Sequence, residues 1–274
     1  MKIIILCTRI LFFLLLTILT QVGGLIYIGS LLFYPLIQRK THHRLSKSIL
    51  KIAAFIFPYL ASTFFLIPLI AKPFGGRVPL PVNGNLKPLN IITCLLNRHY
   101  VNPSLKEAAS AIAVQMKEQF PGTTVNYLDA SFPFFHHFPL VPHLSHNDGK
   151  KLDLAFFYLD ETGKPINTTP SVIGYGAGEP PRANEINTAE FCERKGYWQY
   201  SLLNKIIPRK NSQELLFDST RTKALAIYFA NNPSIEKIFI EPHLKARLHL
   251  TSFKFRFHGC QAVRHDDHLH VQVK

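Results

Sequence analysis

Thirteen histidines occur in this 274-residue chain, and those able to do chemistry fall in two clusters. One is His143-Leu-Ser-His146-Asn-Asp-Gly149-Lys-Lys-Leu-Asp153, and the other is His265-Asp-Asp-His268-Leu-His270. Neutral imidazole and carboxylate are zinc ligands, and a catalytic zinc site supplies three protein ligands while leaving a fourth position to water. A single histidine is more often an ordinary surface or hydrogen-bonded residue. Two dense His and Asp groups, however, are costly to bury without a metal or a charge partner. On a strand, residues two apart share a face, so His268 and His270 are expected as neighbours, one binding metal while the other faces the reaction. His146 is expected in a loop and Asp153 in the strand after it, with Gly149 permitting the reversal between them.

The pattern His-x6-Asp followed by His-x-His resembles the zinc peptidases that group lysostaphin-type enzymes, D-alanyl-D-alanine peptidases and hedgehog domains. Within that group it looks most like penicillin-insensitive murein endopeptidase, which also has a histidine three residues before each motif, here His143 and His265. The resemblance covers roughly residues 120–274. It implies His146, Asp153 and His270 as zinc ligands, His268 as the catalytic or supporting histidine, and His143 and His265 lining the cleft. The implied reaction is amide hydrolysis in peptidoglycan peptide stems or cross-links, with zinc as Lewis acid and source of activated water. His268 takes the base or oxyanion-stabilising role. Asp267 rivals it, because the dipeptidase branch uses an acidic residue three before its last ligand, but strand alternation should turn Asp267 away. Leu144 and Lys151 depart from that branch's Ser and Ala, which argues against a D,D-dipeptidase.

The elements that must position these residues are an α+β domain, a small and mainly antiparallel sheet with flanking helices. Strands are expected at 123–128, 151–159, 235–241, 252–257 and 268–273. Helices are expected from a Ser104/Glu107 capping box through Met116 and over 220–231. Residues 72–103, rich in Gly and Pro, read as a linker and lead-in, so that the peptidase-like domain spans 104–274. The Pro-, Gly- and Asn-dense interval 167–187 is too long for an ordinary connection and is expected to be a functional loop.

Residues 1–71 belong to another physical class. Leu11–Ile37 contains no charged residue and exceeds the ~20 residues that span a bilayer, and Ile52–Ala71 is nearly as apolar. Together they predict a two-span transmembrane hairpin. Its basic connection, with Arg39, Lys40, Arg44, Lys47 and Lys51, is expected in the cytoplasm, which puts both chain ends on the far side of the inner membrane. Seven of the 31 Lys and Arg fall in residues 1–71 and none of the 17 Asp and Glu does, leaving 24 against 17, a formal +7, on the remainder. A basic surface there suits an anionic wall polymer or lipid headgroups. No nucleic-acid motif accompanies the charge, and no protein partner is indicated.

Of the four cysteines, Cys94, Cys192 and Cys260 lie past the hairpin; one disulfide, preferentially Cys192–Cys260, and three buried thiols are the alternatives. The tracts Phe132–Phe138 and Tyr197–Tyr200 are candidate aromatic walls, although core packing is the commoner use. Arg182 and Arg264 are candidate anchors for a substrate carboxylate. Two other function classes compete with the peptidase. One is a membrane-anchored metal-binding module without hydrolytic activity; the other, a phosphohydrolase built on His265-Asp266, requires a helical C-terminal segment where a strand is expected.

Overall fold

The computed structural model describes residues 2–207 and 215–274. The uncharged stretch 11–37 does not form one spanning helix. Helix α1 (Lys2–Thr20) stops at Gln21, whose φ is 67°, and α2 (Gly23–Leu31) and α3 (Tyr34–Lys40) run back along it. Local hydrogen bonding accounts for the break. The Thr17 and Thr20 hydroxyls donate to the Phe13 and Leu16 carbonyls at 2.8 and 2.7 Å, and Thr20 Oγ1 accepts from Gly23 N at 2.8 Å. Such side-chain bonds offer the backbone an alternative to the helix ladder. Gly24 then lets α2 close onto α1, since a Cβ there would lie 2.7 Å from the Phe13 carbonyl oxygen.

The third leg is a single rod made of α4 (Arg44–Ala61), a π-helical turn (Ser62–Leu66) and α5 (Ile67–Gly75). The π-turn lies between Pro58 and Pro68, where missing N–H groups interrupt the regular ladder. Phe55 stacks edge-on to Tyr27 at 6.1 Å, and Lys51 Nζ lies 5.2 Å from the Tyr34 ring, so the rod runs antiparallel to α2–α3. Two of these helices, Ile3–Thr20 and Arg44–Gly75, are long and apolar enough to cross a membrane. The legs alternate in direction. The start of α1 and the turn at 41–43 therefore lie at the end remote from the domain, which corrects the expectation of a two-leg hairpin with both chain ends on one side.

Residues 72–103, expected as a linker and lead-in to the domain, are built into the domain itself. They supply β1 (Val78–Pro79), β2 (Leu86–Pro88), α6 (Ile92–Leu95) and β3 (Tyr100–Val101), and Leu80, Leu86, Cys94 and Val101 are buried in the main core. Short strands that end in proline leave little periodicity to read, which is why the breakers dominated the expectation. Helix α7 (Pro103–Gln119) follows, capped by Asn102 accepting from Ser104 N at 3.0 Å, so Asn102 rather than Ser104 is the N-cap and Pro103 takes the first turn.

The chain then forms β4 (Val125–Tyr127), β5 (Lys151–Ala155), β6 (Tyr158–Leu159) and β7 (Pro165–Ile166), then α8 (Thr188–Arg194) and α9 (Leu202–Ile206). Beyond these come β8 (Leu216–Phe217), α10 (Ser219–Asn231), β9 (Ile235–Phe239), α11 (Pro242–Arg247), β10 (Phe255–Arg256) and β11 (His268–Val273). The main sheet has the order β10-β9-β11-β5-β4-β2, antiparallel through its central pairings and parallel at both edges. Leu152, Leu154, Ile238, Leu269 and Val271 enter the core against α7 and α10, each contributing about 1.5–3 kcal/mol by leaving water. The opposite face of β5 and β11 carries the polar residues of interest.

The bundle is docked on this domain. Gln21 is buried and accepts from Phe134 N at 2.9 Å, Tyr59 Oη donates to the Leu95 carbonyl at 2.5 Å, and Ile67 and Ala71 pack with Tyr100. A Cβ on Gly75 would lie 2.0 Å from the Pro133 carbonyl oxygen. Gly75→Val is therefore expected to cost about 1–3 kcal/mol through forced separation of the two units, measurable as a lower unfolding midpoint in detergent.

Burial, followed by the charge of Lys106, pushes His99 down to about 4. The unfolded chain then takes the proton first, so stability is expected to rise between about pH 4 and 6.5. Urea midpoints across that range should climb less steeply in His99→Phe than in the native protein.

Candidate metal centre

The site grows from the β5–β11 pairing. Asp153 and His270 are direct cross-strand partners, and Phe239 of β9 stands next in the same row. Because side chains alternate, His268 and His270 share the cleft face while Leu269 and Val271 go to the core. His146 arrives from the loop that precedes β5. Gly149, at φ 79°, turns the chain there, with its N–H donating to Ser131 Oγ at 3.0 Å and its carbonyl accepting from Asn102 N at 2.7 Å.

His146 Nε2, Asp153 Oδ1 and His270 Nδ1 form a triangle with edges of 3.2, 2.9 and 3.1 Å. Tetrahedral ligands at 2.0–2.1 Å from a zinc-sized ion stand ~3.3 Å apart, close to these edges. His268 Nε2 lies 3.6 Å from Asp153 Oδ1. All four residues are buried, and Asp153 Oδ1 and His268 Nε2 have no hydrogen-bond partner. A buried carboxylate oxygen left without a hydrogen-bond partner is expensive unless something cationic completes it. The group can hold a metal ion, as can the overlapping set His265, His268 and His270.

Neighbouring groups orient these ligands. His146 Nδ1 meets the Ala130 carbonyl at 2.8 Å; a carbonyl only accepts, so Nδ1 carries the hydrogen and the Nε2 lone pair faces the triangle. His268 Nδ1 donates to Asp267 Oδ1, whose other oxygen accepts from Gly176 N at 2.5 Å. Tyr175 Oη donates to Asp153 Oδ2 at 2.8 Å and accepts from Asp129 N at 3.1 Å. His143 Nδ1 donates to Asp129 Oδ2 at 3.0 Å, and the same oxygen takes Arg98 at 2.7 Å. Such supporting groups set tautomer and ring orientation at metal sites.

The electrostatics divide the histidines. Burial pushes His270 down to about 3, against the pull of Asp153, and holds His265 well below its ordinary value. For His268 burial also opposes charge, but the Asp153 and Asp267 carboxylates overcome it and raise it to about 9. Asp153 stays ionised although burial resists it, because His146, His268 and His270 surround it.

The six residues singled out in the sequence all line one cleft of about 590 Å³: His143, His146, Asp153, His265, His268 and His270. Asp267 does not face it; both its oxygens are engaged, which leaves no free base there. Arg264 is paired with Asp266 and is not free for a substrate. Phe132 is buried and packs edge-on with Phe138 at 5.4 Å, and Tyr200 is buried with Oη donating to Glu241 at 2.6 Å, so both aromatic tracts are largely packing elements. Trp198 remains exposed. The Cys192–Cys260 disulfide is present and ties α8 to the segment carrying His258 and His265, while Cys94 is a buried free thiol.

Sequence reasoning missed Asp129, Tyr175 and His258. Tyr175 lies in the 167–187 loop, so the length of that loop was the available signal. His258, stacked on Phe239 at 4.1 Å, and Asp129 carry no motif spacing at all. In comparison with known proteins, no family model matches the chain and no curated protein matches it.

Tyr175→Phe removes the hydroxyl that fixes Asp153. Metal affinity is expected to fall about 10- to 100-fold, read by competition with a chromophoric chelator.

Proposed function

We propose that the chain is a membrane-anchored zinc peptidase that cleaves an amide bond in peptidoglycan peptide stems or cross-links. The observation that carries this reading is the convergence of His146, Asp153 and His270 into a triangle of zinc-like dimensions with His268 beside it. Two imidazoles and one carboxylate are a donor set zinc favours, and three ligands leave a position open. Zinc held there supplies Lewis acidity toward a carbonyl and lowers the pKa of water toward about 7.

The chain's own residues divide the remaining work. His268, kept protonated near neutral pH by Asp267 and Asp153, presents Nε2–H to the cleft and stabilises a developing oxyanion. His265, kept neutral by burial, stands 4.9 Å away ring to ring and lines the same cleft. His143, held by Asp129, borders the same space.

The reading also places the domain on the extracytoplasmic face of the inner membrane. With alternating legs, the start of α1 and the basic turn bearing Arg39, Lys40, Arg44 and Lys47 share the cytoplasmic end, as positive charge prefers.

Native protein in detergent is expected to carry about one zinc and to release new peptide ends from peptidoglycan. His270→Ala should lose both. His268→Ala should keep the metal and lose about 10²- to 10⁴-fold in rate, as removal of one acid–base or oxyanion group does. Bound zinc without any change in muropeptides would replace the peptidase with a metal-binding module, and absence of metal would overturn the ligand assignment.

A further inference from the structure

A second cavity, of about 220 Å³, adjoins the metal cleft and shares Pro142, His143 and Leu203 with it. Its walls include Leu89, Ile92, Leu96, Leu128 and Ile173. An apolar cavity of about 150 Å³ already stays dry and admits a benzene-sized hydrocarbon, so this one has room for more. Its charged lining is confined to one end, where Arg98 is paired with Asp129, the residue that also holds His143. The inner end of an apolar pocket therefore lies against the reactive cleft.

The lining residues Ile92 and Thr93 belong to α6, which is held against the apolar N-terminal helices. The Leu95 carbonyl of α6 accepts from Tyr59 Oη of α4, and Asn97 reaches Thr63 Oγ1 at 3.5 Å. At this same level the rod exposes Leu60, Phe64 and Phe65, and the domain beside it exposes Ile91 and Ile92. Exposed apolar residues therefore stand both on a helix long and apolar enough to span a bilayer and on α6, whose Ile92 also lines the pocket. Exposed apolar residues beside such a helix suit contact with lipid hydrocarbon, which gives a chain a route from the bilayer to the pocket.

We infer that this pocket receives the hydrocarbon chain of a lipid-linked substrate taken from the bilayer, while the polar part of that substrate lies in the metal cleft. The identity of the reaction rests on the peptidase reading; occupation of the pocket by a chain does not.

The test uses the full chain in vesicles of zwitterionic phospholipid containing a diazirine-labelled palmitoyl peptide, with the same peptide lacking the chain supplied in solution. Irradiation is expected to label peptides containing Leu96 or Ile173, and cleavage of the acylated peptide should exceed that of the soluble one at least tenfold in kcat/KM. Ile173→Glu, on the exposed rim, should abolish that label and reduce the ratio of the two kcat/KM values at least tenfold. Label confined to α1–α5, or equal cleavage of the two peptides by the native protein, would overturn the inference. Label in the pocket with neither peptide cleaved would uphold the chain site and overturn the peptidase reading.

Discussion

The pairing of Asp153 with His270 in the middle of the main sheet constrains everything around it. A carboxylate with no water around it must find positive charge or donors, and here it stands in one row with His270 while His146, His268 and Tyr175 close over it. Because strand side chains alternate, a slip of one residue in β11 would send His268 and His270 into the core and bring Leu269 and Val271 to the cleft. The hydrophobic face that packs on α7 and α10 is thus also what holds the polar face in register. Core packing and site geometry are two consequences of one alignment.

A second constraint comes from outside the sheet. Arg77, just past the end of the helical rod, is almost wholly buried and donates to three carbonyls of the loop that delivers His146, at Phe132, at Phe135 (3.3 Å) and at Asn147 (3.1 Å). Hydrogen bonds from a charged donor are among the stronger ones. The loop is consequently fastened to the base of the rod, and the rod to the domain through Gln21 and Tyr59. The bundle is thus a structural partner of the site.

Much of the fold was legible from local signals. Strands 235–239 and 268–273 and the helix 219–231 follow the periods their residues set, because packing asks nothing unusual of them. The break at Gln21 was not legible, since an uncharged apolar run carries no sign that two threonine hydroxyls and two glycines will fold it back on itself. The segment 72–103 was misread for a related reason: its prolines end strands that exist only because neighbours pair with them. Asp267 lies outside the cleft as expected, but its hold on His268 depends on Gly176, which is 91 residues distant in the chain.

What the sequence by itself determined is the ligand chemistry: histidine and aspartate types, their spacing two apart on a strand or seven apart across a glycine turn, and the separation of an apolar N-terminal region from a basic domain. These are local properties, set by side-chain identity and backbone period. Only the tertiary structure decided which atoms meet. It selected Nε2 of His146 through the Ala130 carbonyl bound to its other nitrogen, and Nδ1 of His270 through the β5–β11 register. It also brought Asp129, Tyr175 and His258 to a site that no spacing connects them with. Such contacts arise from long-range packing, whose energies are shared among many residues and written in no single motif.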